Sequence, residues 1–175
     1  METGAPRRLL NVVFVCVGNS CRSQMAEAFA NKHGAGRVRA WSAGSAPLGE
    51  ITPKTYEVMR EKGYTLDEQW SKSLRDVPLD EMDVVVGMGC EVSCPVPIGF
   101  KGQVVEWNIP DPYGLGIEYF RDVRDLIERQ VVALVDYLDP HGQKASGTRR
   151  ASGADPSSRQ VKNRSSKGKS QKVDG

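Results

Sequence analysis

Apolar positions along this chain fall into short β-branched runs that alternate with stretches of helical spacing. Residues 9–15 (Leu-Leu-Asn-Val-Val-Phe-Val) have the length and composition of a buried strand. The next stretch, 23–33, places Met25, Ala26, Phe29 and Ala30 on one stripe and predicts a helix. Residues 38–42 predict a second strand that ends at Ala43-Gly44. Thr52-Pro53 then opens a helix with proline at its first position, and Gly63 closes it. Two more strands are expected at 82–88 (Met-Asp-Val-Val-Val-Gly-Met) and 103–107. Ile117, Phe120, Val123, Ile127, Val131, Leu134 and Leu138 recur at helical spacing and predict a long final helix. No internal repeat interrupts this order.

Strands alternating with helices imply an α/β fold: one domain with a four-stranded parallel sheet flanked by helices. Ligands of such sheets bind beyond the carboxyl ends of the strands. Three segments are expected to meet there: the turn after the first strand, the 89–100 loop, and the 109–114 turn (Ile-Pro-Asp-Pro-Tyr-Gly).

The first of these turns carries the most chemistry. Cys-Val-Gly-Asn-Ser-Cys-Arg-Ser (16–23) puts a sulfur where a buried strand gives way to a helix start. Unpaired N–H groups and the positive end of the helix dipole favour an anion at that point. The same field favours the thiolate of Cys16, which is the nucleophilic form. Arg22 adds a planar guanidinium able to hold a tetrahedral oxyanion at two oxygens. Gly18 and Asn19 supply a permissive backbone for a tight loop, and Ser23 can donate to the sulfur. A nucleotide-binding P-loop is excluded, because no Gly-x4-Gly-Lys-Ser/Thr occurs.

Asp111-Pro112 is an ordinary turn dipeptide, yet a carboxylic acid on a neighbouring loop could protonate a leaving oxygen. Cys90 and Cys94 admit three readings: inert residues, a zinc site with Cys16 and Cys21, or a redox dithiol. Zinc has no use for an arginine beside a ligand or for a Gly-Asn anion loop, so no metal is expected.

Charge changes the picture at one end only. Residues 141–175 hold nine Lys or Arg against Asp155 and Asp174, which is net +7, so the whole-chain +2 leaves −5 on residues 1–140. With almost no large apolar side chains, that stretch predicts a disordered basic tail. No aromatic is interleaved for stacking, so nucleic acid is not expected as a partner. No apolar run approaches the ~18 residues of a membrane span. Arg7-Arg8 before an apolar stretch lacks a small-x-small cleavage site. A cytoplasmic protein with reduced thiols is expected.

These residues resemble a known family. Cys-Val-Gly-Asn-Ser-Cys-Arg-Ser-Gln-Met-Ala-Glu-Ala (16–28), Ser-Ala-Gly (42–44), Met-Gly-Cys-x3-Cys-Pro (88–95) and Asp-Pro (111–112) are similar to the arsenate reductases built on the low-molecular-weight protein tyrosine phosphatase fold. The resemblance covers roughly 9–138 and implies a domain at 9–140, between a flexible N-terminus at 1–8 and the tail. The first motif is shared by reductases and phosphatases, whereas Ser-Gln-Met-Ala-Glu and the later cysteine pair point to the reductases. The second aromatic that phosphatases carry after Asp-Pro is replaced here by Gly114.

The resemblance also implies roles. Cys16 would attack the oxyanion, bound by Arg22 and the backbone of Val17, Gly18, Asn19, Ser20 and Cys21, with Ser23 and Asn19 holding the loop. Asp111 would be the acid, and Cys90 then Cys94 would pass electrons on. Cys21 would be structural or a protective partner of Cys16. The substrate would be arsenate. No cofactor would be bound, an external thiol reductant such as thioredoxin would recharge the enzyme, and a monomer is expected. The alternative is a phosphatase acting on phosphotyrosine through a Cys16 phosphocysteine.

The composition of the tail generates one prediction. Deleting residues 143–175 should leave both the melting temperature and the turnover unchanged. An unfolded or inactive truncated protein would refute it.

Overall fold

A computed structural model describes residues 7–89 and 96–142 of the chain. Its order is β1 (Leu10–Cys16), α1 (Arg22–His33), β2 (Val38–Gly44), α2 (Pro53–Glu61), β3 (Val84–Met88), β4 (Gln103–Trp107) and α3 (Ile117–Leu138). All strands run parallel, in the spatial order β2-β1-β3-β4. The first strand is therefore inside the sheet, with Val12 opposite both Ala40 in β2 and Val84 in β3. Its last residue, Cys16, pairs with Gly44 at the carboxyl edge of the sheet.

Alternation along the strands sorts the core into two layers. Val12, Phe14 and Cys16 face a large core with Val84, Val86 and Trp107, packed by Met25 and Phe29 of α1, Met59 of α2 and Phe120, Ile127 and Val131 of α3. Val13 and Val15 face the other way, with Ala43, Val85, Val77 and Met82. No helix longer than three residues contributes to that second layer among the described residues. Its cover comes from the single-turn helices Leu74–Asp76 and Leu79–Glu81 and from Val96 and Phe100.

Local chemistry sets the helix ends. The Thr52 side chain accepts from the Thr55 N–H and Pro53 stands at the first position, so α2 starts where its sequence predicts. Cys21 precedes α1 without making a side-chain cap, and no acidic residue lies in the first turn. The orphan N–H groups of α1 therefore have no internal partner of this kind. Among the described residues no helix is long and apolar enough to cross a membrane. Cys90, Cys94 and nearly all of the basic tail lie outside the described residues.

The α3 stripe predicts a stability effect. Ile127 is fully buried in the main core, so Ile127→Ala should lower the unfolding free energy by about 2–5 kcal/mol. Tyr137→Ala, on the exposed side of the same helix, should change it by less than about 0.5 kcal/mol. Urea unfolding of both variants checks the contrast, and equal effects would sink it.

Candidate oxyanion site

β1 delivers Cys16 to the sheet edge, and the chain turns through residues 17–21 before α1 begins at Arg22. Every carbonyl of this turn is tied outward. The Cys16 carbonyl accepts from Ser45 N–H at 3.1 Å, Val17 from Ala46 at 2.9 Å and Gly18 from Leu48 at 3.0 Å. The Asn19 carbonyl accepts from Gln24 Nε2 at 3.0 Å, Ser20 from Thr52 N–H at 3.1 Å and Cys21 from Met25 N–H at 3.1 Å. A trans peptide places C=O and the following N–H on opposite sides. Outward carbonyls thus turn the N–H groups of residues 17–22 toward the inside of the loop, next to the open start of α1. The result is a cradle of donors with a sulfur at its base.

Tight closure depends on two backbone positions. Asn19 has φ of 45°, the left-handed region that asparagine tolerates better than most residues. Gly44 lies so close beneath the loop that a Cβ there would stand 2.7 Å from the Val17 carbonyl oxygen and 3.0 Å from Asn19 Cβ. Glycine is the residue that fits.

Side chains then orient the sulfur's neighbours. Cys16 Sγ lies 3.0 Å from Ser23 Oγ, and Asn19 Nδ2 donates to that same Oγ at 2.8 Å. Because the Ser23 oxygen accepts from Asn19, its own proton is available to the sulfur, which suits a thiolate. Asn19 Oδ1 in turn accepts from Gln24 Nε2 at 2.9 Å and from the Lys72 N–H at 2.8 Å. Gln24 and Lys72 are buried and were not predicted as site residues.

Arg22 is only 4% exposed. Its Nη1 donates to the Met88 carbonyl at 2.8 Å and the Ile109 carbonyl at 3.1 Å, while Nη2 pairs with Asp111 Oδ2 at 2.8 Å. Its Nε is buried and has no partner. A buried charged donor left unpaired costs more than most hydrogen bonds gain, and an oxyanion in the cradle would satisfy it. Gly89 makes room for the guanidinium: it has φ of 78°, and a Cβ there would stand 2.8 Å from Arg22 Nη1. Asp111 is half exposed, and its Oδ1 accepts from the Tyr113 N–H at 3.1 Å.

The structure therefore brings Cys16, residues 17–23, Arg22 and Asp111 to one sheet edge. Cys21 points elsewhere, with its sulfur 3.5 Å from Thr52 Oγ1 and 3.7 Å from Ser20 Oγ. Among the described residues no group of three or more His, Cys, Asp or Glu could hold a metal ion.

Residues 11–144 match the model of the low molecular weight phosphotyrosine protein phosphatase family. The chain belongs to this family. Within it, the chain is 36% identical over 125 residues to the glutaredoxin arsenate reductase of Synechocystis, covering 71% of this chain and 95% of that protein. A solved arsenate reductase in the phosphate binding state superposes with a TM-score of 0.68 at 34% identity, over 75% of this chain and all of that one. The thioredoxin-dependent arsenate reductase of Corynebacterium glutamicum superposes with a TM-score of 0.65 at 27% identity, over 79% of this chain and 66% of that one.

The geometry at Arg22 yields a prediction. Arg22→Lys keeps the charge but loses the Nε donor and the planar fork. Phosphate should then protect Cys16 from iodoacetamide about tenfold less well, the worth of one charge-assisted hydrogen bond. Undiminished protection would mean that Arg22 does not hold the oxyanion.

Proposed function

We propose that this protein reduces arsenate to arsenite by a cysteine relay and is recharged by an external dithiol protein such as thioredoxin. The observation that carries the reading is the unpaired buried Nε of Arg22 above a loop whose sulfur is served by the Ser23 hydroxyl. It is supported by the arsenate reductases among the relatives.

In this reading arsenate enters the cradle and takes the Arg22 edge. The Cys16 thiolate forms an S–As bond as an As–O bond breaks, and Asp111 gives its proton to the departing oxygen, which leaves as water. Arsenic is still As(V) at this stage. Cys90 then attacks the Cys16 sulfur. The S–As pair of electrons stays on arsenic, arsenite leaves as As(III), and a Cys16–Cys90 disulfide remains. Cys94 attacks Cys90 and frees the Cys16 thiolate, leaving Cys90–Cys94 for the reductant; each transfer is thiolate–disulfide exchange. The Cys90 and Cys94 roles rest on the sequence motif. The catalytic unit is placed at 9–140, the tail is accessory, and the cytoplasm is the compartment that keeps these thiols reduced.

A second reading is a phosphatase with a Cys16 phosphocysteine and Asp111 as acid, favoured by the family's own phosphatase model and by Tyr113 exposed beside Asp111. The two readings part at the relay. Cys90→Ser and Cys94→Ser should each abolish multiple-turnover arsenate reduction with thioredoxin, its reductase and NADPH, yet spare p-nitrophenyl phosphate hydrolysis. Cys16→Ser should abolish both. Mass spectrometry of Cys94→Ser after one turnover should find a Cys16–Cys90 bridge. Full-rate reduction by both serine variants would overturn the relay in favour of the phosphatase.

A further inference from the structure

Lys72 is 4% exposed, an uncommon place for a lysine. Its ammonium has three N–H donors and finds three acceptors: Glu27 Oε2 at 3.2 Å, Ser42 Oγ at 3.3 Å and the Trp70 carbonyl at 3.3 Å. The Ser42 hydroxyl donates a hydrogen bond to the same Glu27 oxygen. The ion lies 4.7 Å from the centre of the Trp70 ring, and the Glu27 side chain is itself mostly buried. A buried ion pair of this kind is weak evidence for stability, because desolvation offsets most of the attraction. Its consequence lies in what it fixes.

The peptide of Lys72 is held on both sides. Its carbonyl accepts from the Gly44 N–H at 2.9 Å, and its N–H donates to Asn19 Oδ1 at 2.8 Å. The second bond determines an orientation. A side-chain amide can rotate by half a turn and exchange its oxygen for its nitrogen; Gln24, the other donor to Asn19 Oδ1, is such an amide, held in turn by the Asn19 carbonyl and by the same Trp70 carbonyl that takes the Lys72 ammonium. A backbone N–H only donates. Lys72 therefore requires the Asn19 oxygen on its side, which puts Nδ2 against Ser23. With the amide reversed, Ser23 would give its proton to Asn19 and none to Cys16.

We propose that Lys72 is a positioning residue for Cys16: its buried ammonium, fixed by Glu27, Ser42 and the Trp70 carbonyl, anchors the N–H that sets the Asn19 amide, and through it the Ser23 hydroxyl on the sulfur. The ammonium touches neither substrate nor sulfur. Its effect is read in the reactivity of Cys16. The proposal rests on the reading of Cys16 as the nucleophile, but not on arsenate as substrate.

The test uses iodoacetamide at pH 7 on the full-length protein, with alkylation at Cys16 followed by fragment mass spectrometry. Lys72→Ala should alkylate about fivefold more slowly, the worth of one net hydrogen bond. Propylammonium, which matches the atoms removed, should restore the rate. Tetramethylammonium, which has no N–H, should not. An unchanged rate in Lys72→Ala, or equal restoration by both cations, would overturn the proposal. Should Lys72→Ala fail to fold, Glu27→Gln removes the counter-charge and keeps the shape; the rate should again fall, and an unchanged rate would overturn the positioning role. A wild-type Cys16 inert to iodoacetamide would instead remove the nucleophile reading itself.

Discussion

A guanidinium cannot be buried without acceptors around it, and Arg22 draws its three acceptors from two different parts of the chain. The end of β3 gives the Met88 carbonyl, and the chain beyond β4 gives the Ile109 carbonyl and the Asp111 carboxylate. One side chain on the first turn of α1 thereby fixes the spacing of two loops that are 66 to 89 residues away in sequence. The carboxylate reaches the anion cradle because the arginine holds it there, and Gly89 is open enough to let the arginine through. Substrate binding and acid placement are consequently not independent. An oxyanion that takes hold of the guanidinium does so beside the group that could protonate it.

The loop itself is governed by hydrogen-bond direction. Outward carbonyls from residues 16–21 turn the amides inward, and an uncapped helix start continues the same donor surface. Around the sulfur the order of donors runs from Lys72 to Asn19 to Ser23 to Cys16. Each member is a donor toward the next, so the chain ends on the sulfur, as the acceptor of the last hydrogen bond. Buried polar groups are costly when left without a partner, and beside this network the Arg22 Nε is left over.

The elements were readable because their apolar spacing is local. Strand and helix positions agree with the structure to within a few residues, as at 103–107 and 117–138. The adjacency of Cys16, Arg22 and Ser23 is likewise a matter of eight consecutive residues. Lys72 and Gln24 were not readable, because a lysine in a polar stretch and a glutamine in a helix look like surface residues. Their burial arises from partners 45 to 53 positions away, which spacing cannot reveal. The thin second layer was missed for a similar reason: alternating strands and helices say that a sheet is covered, but not that one cover is made of single turns.

That unequal covering gives the sheet one stiff side and one yielding side. Three interlocked helices clamp the face below Cys16, where opening would expose a continuous core. The opposite face is closed by short turns and by Val96 and Phe100, which carry few long-range backbone hydrogen bonds and open at small cost. Val96 and Phe100 therefore join the fold on the yielding side. A local opening of that side can stay within a small cooperative unit, while the floor of the anion cradle stays seated on the rigid one.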